Sequence, residues 1–132
     1  MGITHNTTCQ LCNREEETHD HLFFQCTYAK AVWNTLSTHS TIQWPTVQWL
    51  QLLQWASSTL RGNGNINSII AKLILAVAIY YLWYERNNRT FKHIHKTAQE
   101  LSAEIIHLIR THLMHSDVRK FVNNGIRAIW NI

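Results

Sequence analysis

The stretch Cys9-Gln10-Leu11-Cys12, followed by His21-Leu22-Phe23-Phe24-Gln25-Cys26, decides how this chain is read. As a pattern it is C-x2-C-x8-H-x4-C, four donors inside 18 residues, with no further cysteine in the 106 residues after it. Zinc is a borderline-soft ion that accepts thiolate and imidazole in one tetrahedron, and a C-x2-C turn lets two sulfurs converge on it. Metal binding then supplies folding free energy to a segment too small to bury much surface. The bland alternative makes Cys9 and Cys12 incidental and Cys26 a buried apolar thiol. An odd cysteine count makes a disulfide framework a poor fit. The spacing therefore predicts one structural zinc ion on Cys9, Cys12, His21 and Cys26, with His19, two residues upstream of His21, as a competing ligand. A catalytic zinc fits less well, because a Cys3His site is closed to water and neither H-E-x-x-H nor a deaminase-type H-x-E signature is present.

Outward from this stretch the composition is that of a small folded domain. The chain has 132 residues, 45% of them hydrophobic, with one proline and four glycines. Disorder is a poor fit, and an all-β sandwich or barrel would need more turn residues. Charged residues make up only 15%, and the formal net charge is +4. The charge is uneven. Residues 1–60 carry two basic and four acidic groups, whereas residues 61–132 carry ten basic and four acidic. A polyanionic partner is therefore expected on the C-terminal half. The polar Met1–Thr8 lacks the apolar core of a signal peptide. The longest uncharged apolar run, Leu73–Tyr84, is twelve residues, short of the roughly 20 that span a bilayer. The expectation is an intracellular protein, cytoplasmic or nuclear, without a membrane partner.

The periodicity predicts a mainly α fold: a small N-terminal zinc knuckle followed by a bundle of four to five helices. The whole of 1–132 reads as a single domain, with 1–36 as knuckle and first helix and 45–132 as the bundle. A helix to Leu36 starts at about His21 or at Thr27, an expected N-cap, and is followed by a loop over 37–44. Pro45-Thr46 opens a second helix to about Ser57, with Val47, Leu50, Leu53 and Trp55 or Ala56 inward. Arg61-Gly62-Asn63-Gly64-Asn65 is the candidate hinge, over 61–66. Asn67 or Ser68 caps a third helix, Ile69 to about Asn88, apolar all round from Leu73 to Tyr84 and so expected to be buried on most faces. Its alternatives are a dimer interface or a pocket lined by Tyr80, Tyr81, Trp83 and Tyr84. Thr97-Ala98-Gln99-Glu100 is a capping box. It opens a fourth helix to about His115, with Leu101, Ile105, Leu108, Ile109 and Leu113 in one stripe. Ser116 caps a last short helix through Val118, Phe121 and Val122.

Two strings carry a resemblance. The first is Cys9-Gln10-Leu11-Cys12, then Glu17-Thr18-His19-Asp20-His21-Leu22-Phe23-Phe24-Gln25-Cys26, then Ala29 to Trp33. It resembles the zinc-binding domain that follows the reverse transcriptase in plant LINE-type (non-LTR) retrotransposons, which reads C-x-L-C, E-T-x-x-H-L-F-F-x-C and A-x-x-V-W. The second, Ile79-Tyr80-Tyr81-Leu82-Trp83-Tyr84-Glu85-Arg86-Asn87-Asn88-Arg89-Thr90-Phe91, looks like the downstream I-Y-x-x-W-x-E-R-N-x-R-x-F segment of that family. Ile129-Trp130-Asn131-Ile132 looks like the common end of such reading frames. The resemblance implies the same four zinc ligands and a role in holding template RNA or target DNA. It implies no polymerase or nuclease activity for this polypeptide, which begins just before the zinc motif and reads as a truncated or co-opted tail.

For nucleic-acid binding the candidate residues are Arg86, Arg89, Lys92 and Lys96, with His93 and His95 beside them and Tyr84 or Phe91 able to stack on a base. The bland reading is a solvated helix end in which Glu85 pairs with Arg89 at i,i+4. A competing expectation is a protein-interaction scaffold or homo-oligomer, favoured by six tryptophans and low charge. A third is a co-opted small-molecule binder or enzyme using the aromatic, histidine-rich core. Against it, no catalytic residues, nucleophile–base spacing or carboxylate pair stand out. His93-Ile94-His95 reads as polar loop rather than as a second metal site.

Overall fold

A computed structural model of the chain describes residues 7–42, 49–59 and 65–132. The described residues are mainly helical, with one isolated antiparallel bridge between Thr8 and Glu16 and no β-strand. The knuckle closes with a π-helical turn, His21–Gln25, that leads into α1, Thr27–Ser40. Then come α2, Trp49–Thr59, and α3, Ile66–Asn87, which runs into a second π-helical turn, Asn88–Lys92. The chain ends with α4, Ala98–Leu113, α5, Ser116–Arg119, and α6, Asn124–Trp130.

Three helices make the core. The buried residues Ala29, Val32, Trp33 and Leu36 of α1, Ile70, Ile74, Ala78 and Leu82 of α3, and Leu101, Ile105, Ile109 and Leu113 of α4 recur every three to four positions. Each helix therefore turns one stripe inward, and α4 lies against both α1 and α3. Each buried Leu or Ile contributes about 1.5–3 kcal/mol of transfer free energy. The short α6 closes one end: Ile126 and Trp130 are buried, and Arg110 of α4 donates from Nε to the Trp130 carbonyl at 2.8 Å. Trp130 also meets the edge of His39, the ring centroids 4.7 Å apart.

The sequence expectations hold best for α4. Thr97 Oγ1 accepts from Glu100 N at 3.1 Å while Glu100 Oε1 accepts from Thr97 N at 3.2 Å, the reciprocal capping box. In its stripe Leu108 is the exception, 41% exposed. Other boundaries move. The residue that caps α1 is Cys26, whose extended backbone (φ −62°, ψ 138°) ends the π-turn, so Thr27 is already helical. α1 then continues through Ser40 and stops at Thr41, which has φ 61°. In α2 Leu52 is buried and Leu50, expected inside, is 65% exposed, while the side chains of Leu53 and Trp55 lie outside the described ones. Val47, the Pro45 start and residues 61–64 of the hinge lie outside the described residues. The cap of α3 is Asn65, whose Oδ1 accepts from Asn67 N at 2.9 Å, two residues before the expected cap. His115, not Ser116, precedes α5 as its cap, with Asp117 N donating to its Nδ1. Of the residues expected in the last helix, Val118 and Val122 pack on the core and Phe121 faces out.

The largest correction concerns α3. Expected to be buried on most faces, it buries one stripe and exposes another: Tyr80 is 62% exposed, Trp83 47% and Tyr84 44%. With its π-turn the helix spans Ile66–Lys92, 27 residues with a mean hydropathy of 1.8 in its most apolar window. It is long and apolar enough to cross a membrane by length and composition. The twelve-residue uncharged run understated this, because the single Lys72 does not end the apolar stretch. Within the molecule that helix serves as core on one side and as exposed apolar surface on the other.

Candidate metal centre and its support

The knuckle is built by its backbone before any metal is considered. Asn13 N donates to Cys9 O at 2.9 Å and Cys9 N donates to Glu15 O at 2.8 Å, while Glu17 N donates to Thr7 O at 2.7 Å. These bonds fold Cys9–Cys12 into a turn and return the chain alongside itself. Asn13 carries the turn at φ 57°. Asparagine tolerates this left-handed conformation better than other non-glycine residues, because its short polar side chain bonds locally. The π-turn supplies the other two donors. His21 N donates to Thr18 Oγ1 at 3.0 Å, and Cys26 N donates to His21 O at 2.6 Å.

The result brings all four expected ligands together. The donor atoms of Cys9, Cys12, His21 and Cys26 lie within 4.8 Å of one another, with Cys9, His21 and Cys26 buried. Cys9 Sγ and Cys26 Sγ are 3.8 Å apart. A tetrahedron with Zn–S bonds of about 2.3 Å has S···S edges of about 3.8 Å. His21 turns Nε2 toward Cys12 Sγ at 3.2 Å and Nδ1 toward Glu15 Oε2 at 3.5 Å. That is the arrangement by which a carboxylate orients a ligating imidazole. His19 is outside this cluster: it is exposed, and its ring meets Phe23 edge-on with centroids 6.3 Å apart. The hydrogen bond that Cys9 and Cys26 share lowers the Cys9 thiol and raises the Cys26 thiol, so the pair holds one proton between them that a bound zinc ion would displace. The set fits zinc, and four protein donors leave no open position for a substrate.

The helical body holds the knuckle through Arg89 and Arg86. Arg89 is the centre of a clasp. Its Nε donates to Glu85 Oε2 at 2.7 Å, Nη2 to Lys96 O at 2.8 Å, and Nη1 to Leu11 O at 3.1 Å and Gln10 O at 3.4 Å. The guanidinium lies 4.7 Å over the Tyr28 ring, and Tyr28 Oη donates to Lys96 O at 2.9 Å. Glu85 is 1% exposed and also accepts from Lys96 N at 2.9 Å. The i,i+4 pair of the bland reading thus forms, but buried, where its extra hydrogen bonds offset the desolvation of two charges. Burial, and then the charge of Glu85, push the Tyr28 hydroxyl above its ordinary range. Arg86 donates to both carboxylate oxygens of Glu17 (2.9 Å from Nη2 and 3.2 Å from Nε) and lies 5.3 Å over the Trp83 ring.

The four cations singled out for nucleic acid therefore divide. Arg89 is committed to the clasp, Arg86 to Glu17, and Lys96 to Glu104 through a short ion pair. Lys92 is exposed beside Phe91, itself 61% exposed. Of the four aromatic residues offered as a pocket, Tyr81 is partly buried while Tyr80, Trp83 and Tyr84 lie on the open surface of α3, with Tyr80 and Tyr84 stacked at 6.1 Å. The sequence reading has the Glu85–Arg89 pair but sets it on a solvated helix end, and the structure buries it, with Glu85 1% exposed.

With this geometry in place, the comparison with known families is direct. Residues 1–33 match the family described as zinc-binding in reverse transcriptase. The matched residues include all four members of the cluster and end inside α1, at Trp33. No curated protein and no solved structure matches the chain.

Proposed function

We propose that the chain is a zinc-stapled helical module that associates with nucleic acid and derives from the tail of a retrotransposon reverse transcriptase, working inside the cell. The observation that carries this reading is the surface next to the knuckle. Tyr80, Trp83, Tyr84 and Phe91 are all exposed, with Arg86 over Trp83 and Lys92 adjacent to Phe91. Exposed aromatic rings interleaved with cations form a stacking platform for unpaired bases, each base worth about 1–3 kcal/mol. The family match at residues 1–33 supports the retroelement origin. So does the string Ile79–Phe91, which continues the resemblance beyond the matched residues. The metal's role is structural, with one zinc ion per chain.

The test is fluorescence anisotropy of labelled single-stranded RNA and DNA with the zinc-loaded chain, repeated over a salt series. Affinity that falls linearly with log salt supports the reading. Affinity independent of salt, or none at all, sinks it. Trp83→Ala together with Tyr84→Ala is expected to weaken binding tenfold or more, about 1–3 kcal/mol per stacking base.

The same exposed stripe favours a second reading, a homo-oligomer formed through α3. An apolar helix face with three aromatic residues 44–62% exposed is unusual on a monomer. Light scattering over a concentration series distinguishes the two: a concentration-independent monomer removes the oligomer reading.

A further inference from the structure

At the end of the molecule away from the knuckle, α4, α5 and α6 enclose a cleft of about 180 Å³ lined by Leu113, Met114, Arg119, Val122, Arg127 and Ile132. Its open mouth extends over Lys120. The wall is apolar and the rim is cationic. Met114 is 57% exposed there. Arg119, Lys120 and Arg127 make no ion pair with any described residue, in contrast to Arg86, Arg89 and Lys96. From residue 105 onward the sequence has a single carboxylate side chain, Asp117, and it sits by His115 at 3.7 Å. Lys120 lies over the face of Phe121, 5.2 Å away.

We infer that this cleft is a nucleotide-binding subsite, in which the apolar wall takes one planar base and Arg119, Arg127 and Lys120 take its phosphate. The size supports the assignment, since a cavity of about 150 Å³ holds one six-membered ring. The rim chemistry supports it as well. Guanidinium groups match phosphate oxygens two by two, and no carboxylate side chain of a described residue pairs with the three cations of this rim. The assignment rests on the nucleic-acid reading above, and gives it a second contact point on a different face from the aromatic stripe.

The experiment uses the full zinc-loaded chain. Uridine 5′-monophosphate and inorganic phosphate are titrated while the amide and guanidinium resonances of residues 113–132 are followed. An oligo(U) of about 12 nucleotides, within the usual site size of a single-strand binder, is followed by anisotropy. The expected result is that uridine monophosphate shifts Arg119 and Arg127 more strongly than inorganic phosphate does. R119Q combined with R127Q is expected to weaken oligo(U) about tenfold or more. Removing two phosphate contacts should also lower the salt slope by about 1.4. Val122→Trp, which fills the cleft and keeps every charge, is expected to abolish the preference of uridine monophosphate over phosphate. Lys30→Gln, on exposed α1, is the control for general charge. If oligo(U) binds but neither the double variant nor Val122→Trp changes it, the subsite is overturned while the nucleic-acid reading stands. If uridine monophosphate shifts the cleft but no oligonucleotide binds, the subsite stands and the nucleic-acid reading falls. Binding to phosphatidylglycerol vesicles with no response to uridine monophosphate overturns the nucleotide assignment in favour of a lipid surface.

Discussion

The knuckle and the helical body are held together by different physics. Residues 7–26 bury only a handful of apolar side chains, among them Leu11, Leu22 and Phe23. Their shape depends on four metal donors and on carbonyls gripped by Arg89. The body is a hydrophobic core of three helices, α1, α3 and α4, and Leu11, Leu22 and Phe23 of the knuckle join the same cluster at its edge. One region is ordered by a few strong, directional bonds and the other by many weak, non-directional contacts. The first is therefore expected to fail abruptly when one bond goes, and the second to yield by increments.

The sharpest way to break this comparison is to remove the metal. Chelation, or Cys26→Ser, is expected to cost several kcal/mol or more, since apparent zinc binding in comparable small sites carries about 10–16 kcal/mol. Amide exchange should show protection lost over residues 7–26 while the centre of α4 keeps most of its own. Equal loss in both regions would show that the body depends on the head. Next in size is Arg89→Met, which leaves Glu85 charged and buried and is expected to cost about 3–5 kcal/mol in urea unfolding. Combining it with Glu85→Leu should recover part of that loss, and failure to recover any would mean that the knuckle carbonyls dominate the clasp. Ile105→Ala attacks the body alone. A cost of about 2–5 kcal/mol with zinc content unchanged is expected, and a drop in zinc content would erase the distinction between the regions.

The smallest effect is a pH dependence confined to the body. Burial, and then the nearby charge of Arg110, hold His39 below its ordinary value of 6.5. Its Nε2 is buried with no hydrogen-bond partner among the described residues. As pH falls below about 6.5 the unfolded chain takes up a proton at this position while the folded one does not, so the folded state loses stability. Comparing wild type with His39→Phe removes the contribution of the other histidines. The stability difference between the two should shift in favour of the variant between about pH 7.5 and pH 5.5, and a constant difference would assign no role to this proton.

How far the sequence could be read follows from the same division. The metal donors were legible because their geometry is local: a C-x2-C turn and a nearby His and Cys converge whatever the rest of the chain does. His21 was favoured over its competitor His19 by the same spacing, and the π-turn that Thr18 begins is what brings it to the cluster. α4 was legible because a capping box and a single stripe agree. α6 was missed because seven residues give the periodicity too little length, and its two buried residues are recognisable only against α4 and α1. The faces of α3 were hidden by an apolar surface all round, which cannot say which side meets a partner. Glu85 and Arg89 were legible as a pair by their spacing, but the carbonyls of Gln10 and Leu11, 79 and 78 residues away, lie beyond any local pattern.

Arg86 touches two things at once: its guanidinium lies over the Trp83 ring and holds the Glu17 carboxylate of the knuckle. Occupancy at the aromatic stripe and occupancy at the metal centre are therefore tied by thermodynamic reciprocity. A molecule that stacks on Trp83 and draws Arg86 away from Glu17 loosens the grip on the ion by some factor. The ion then weakens that molecule by the same factor. A molecule that presses Arg86 onto Glu17 does the reverse, so zinc retention becomes a gauge of what lies on a face of the protein that never meets the metal.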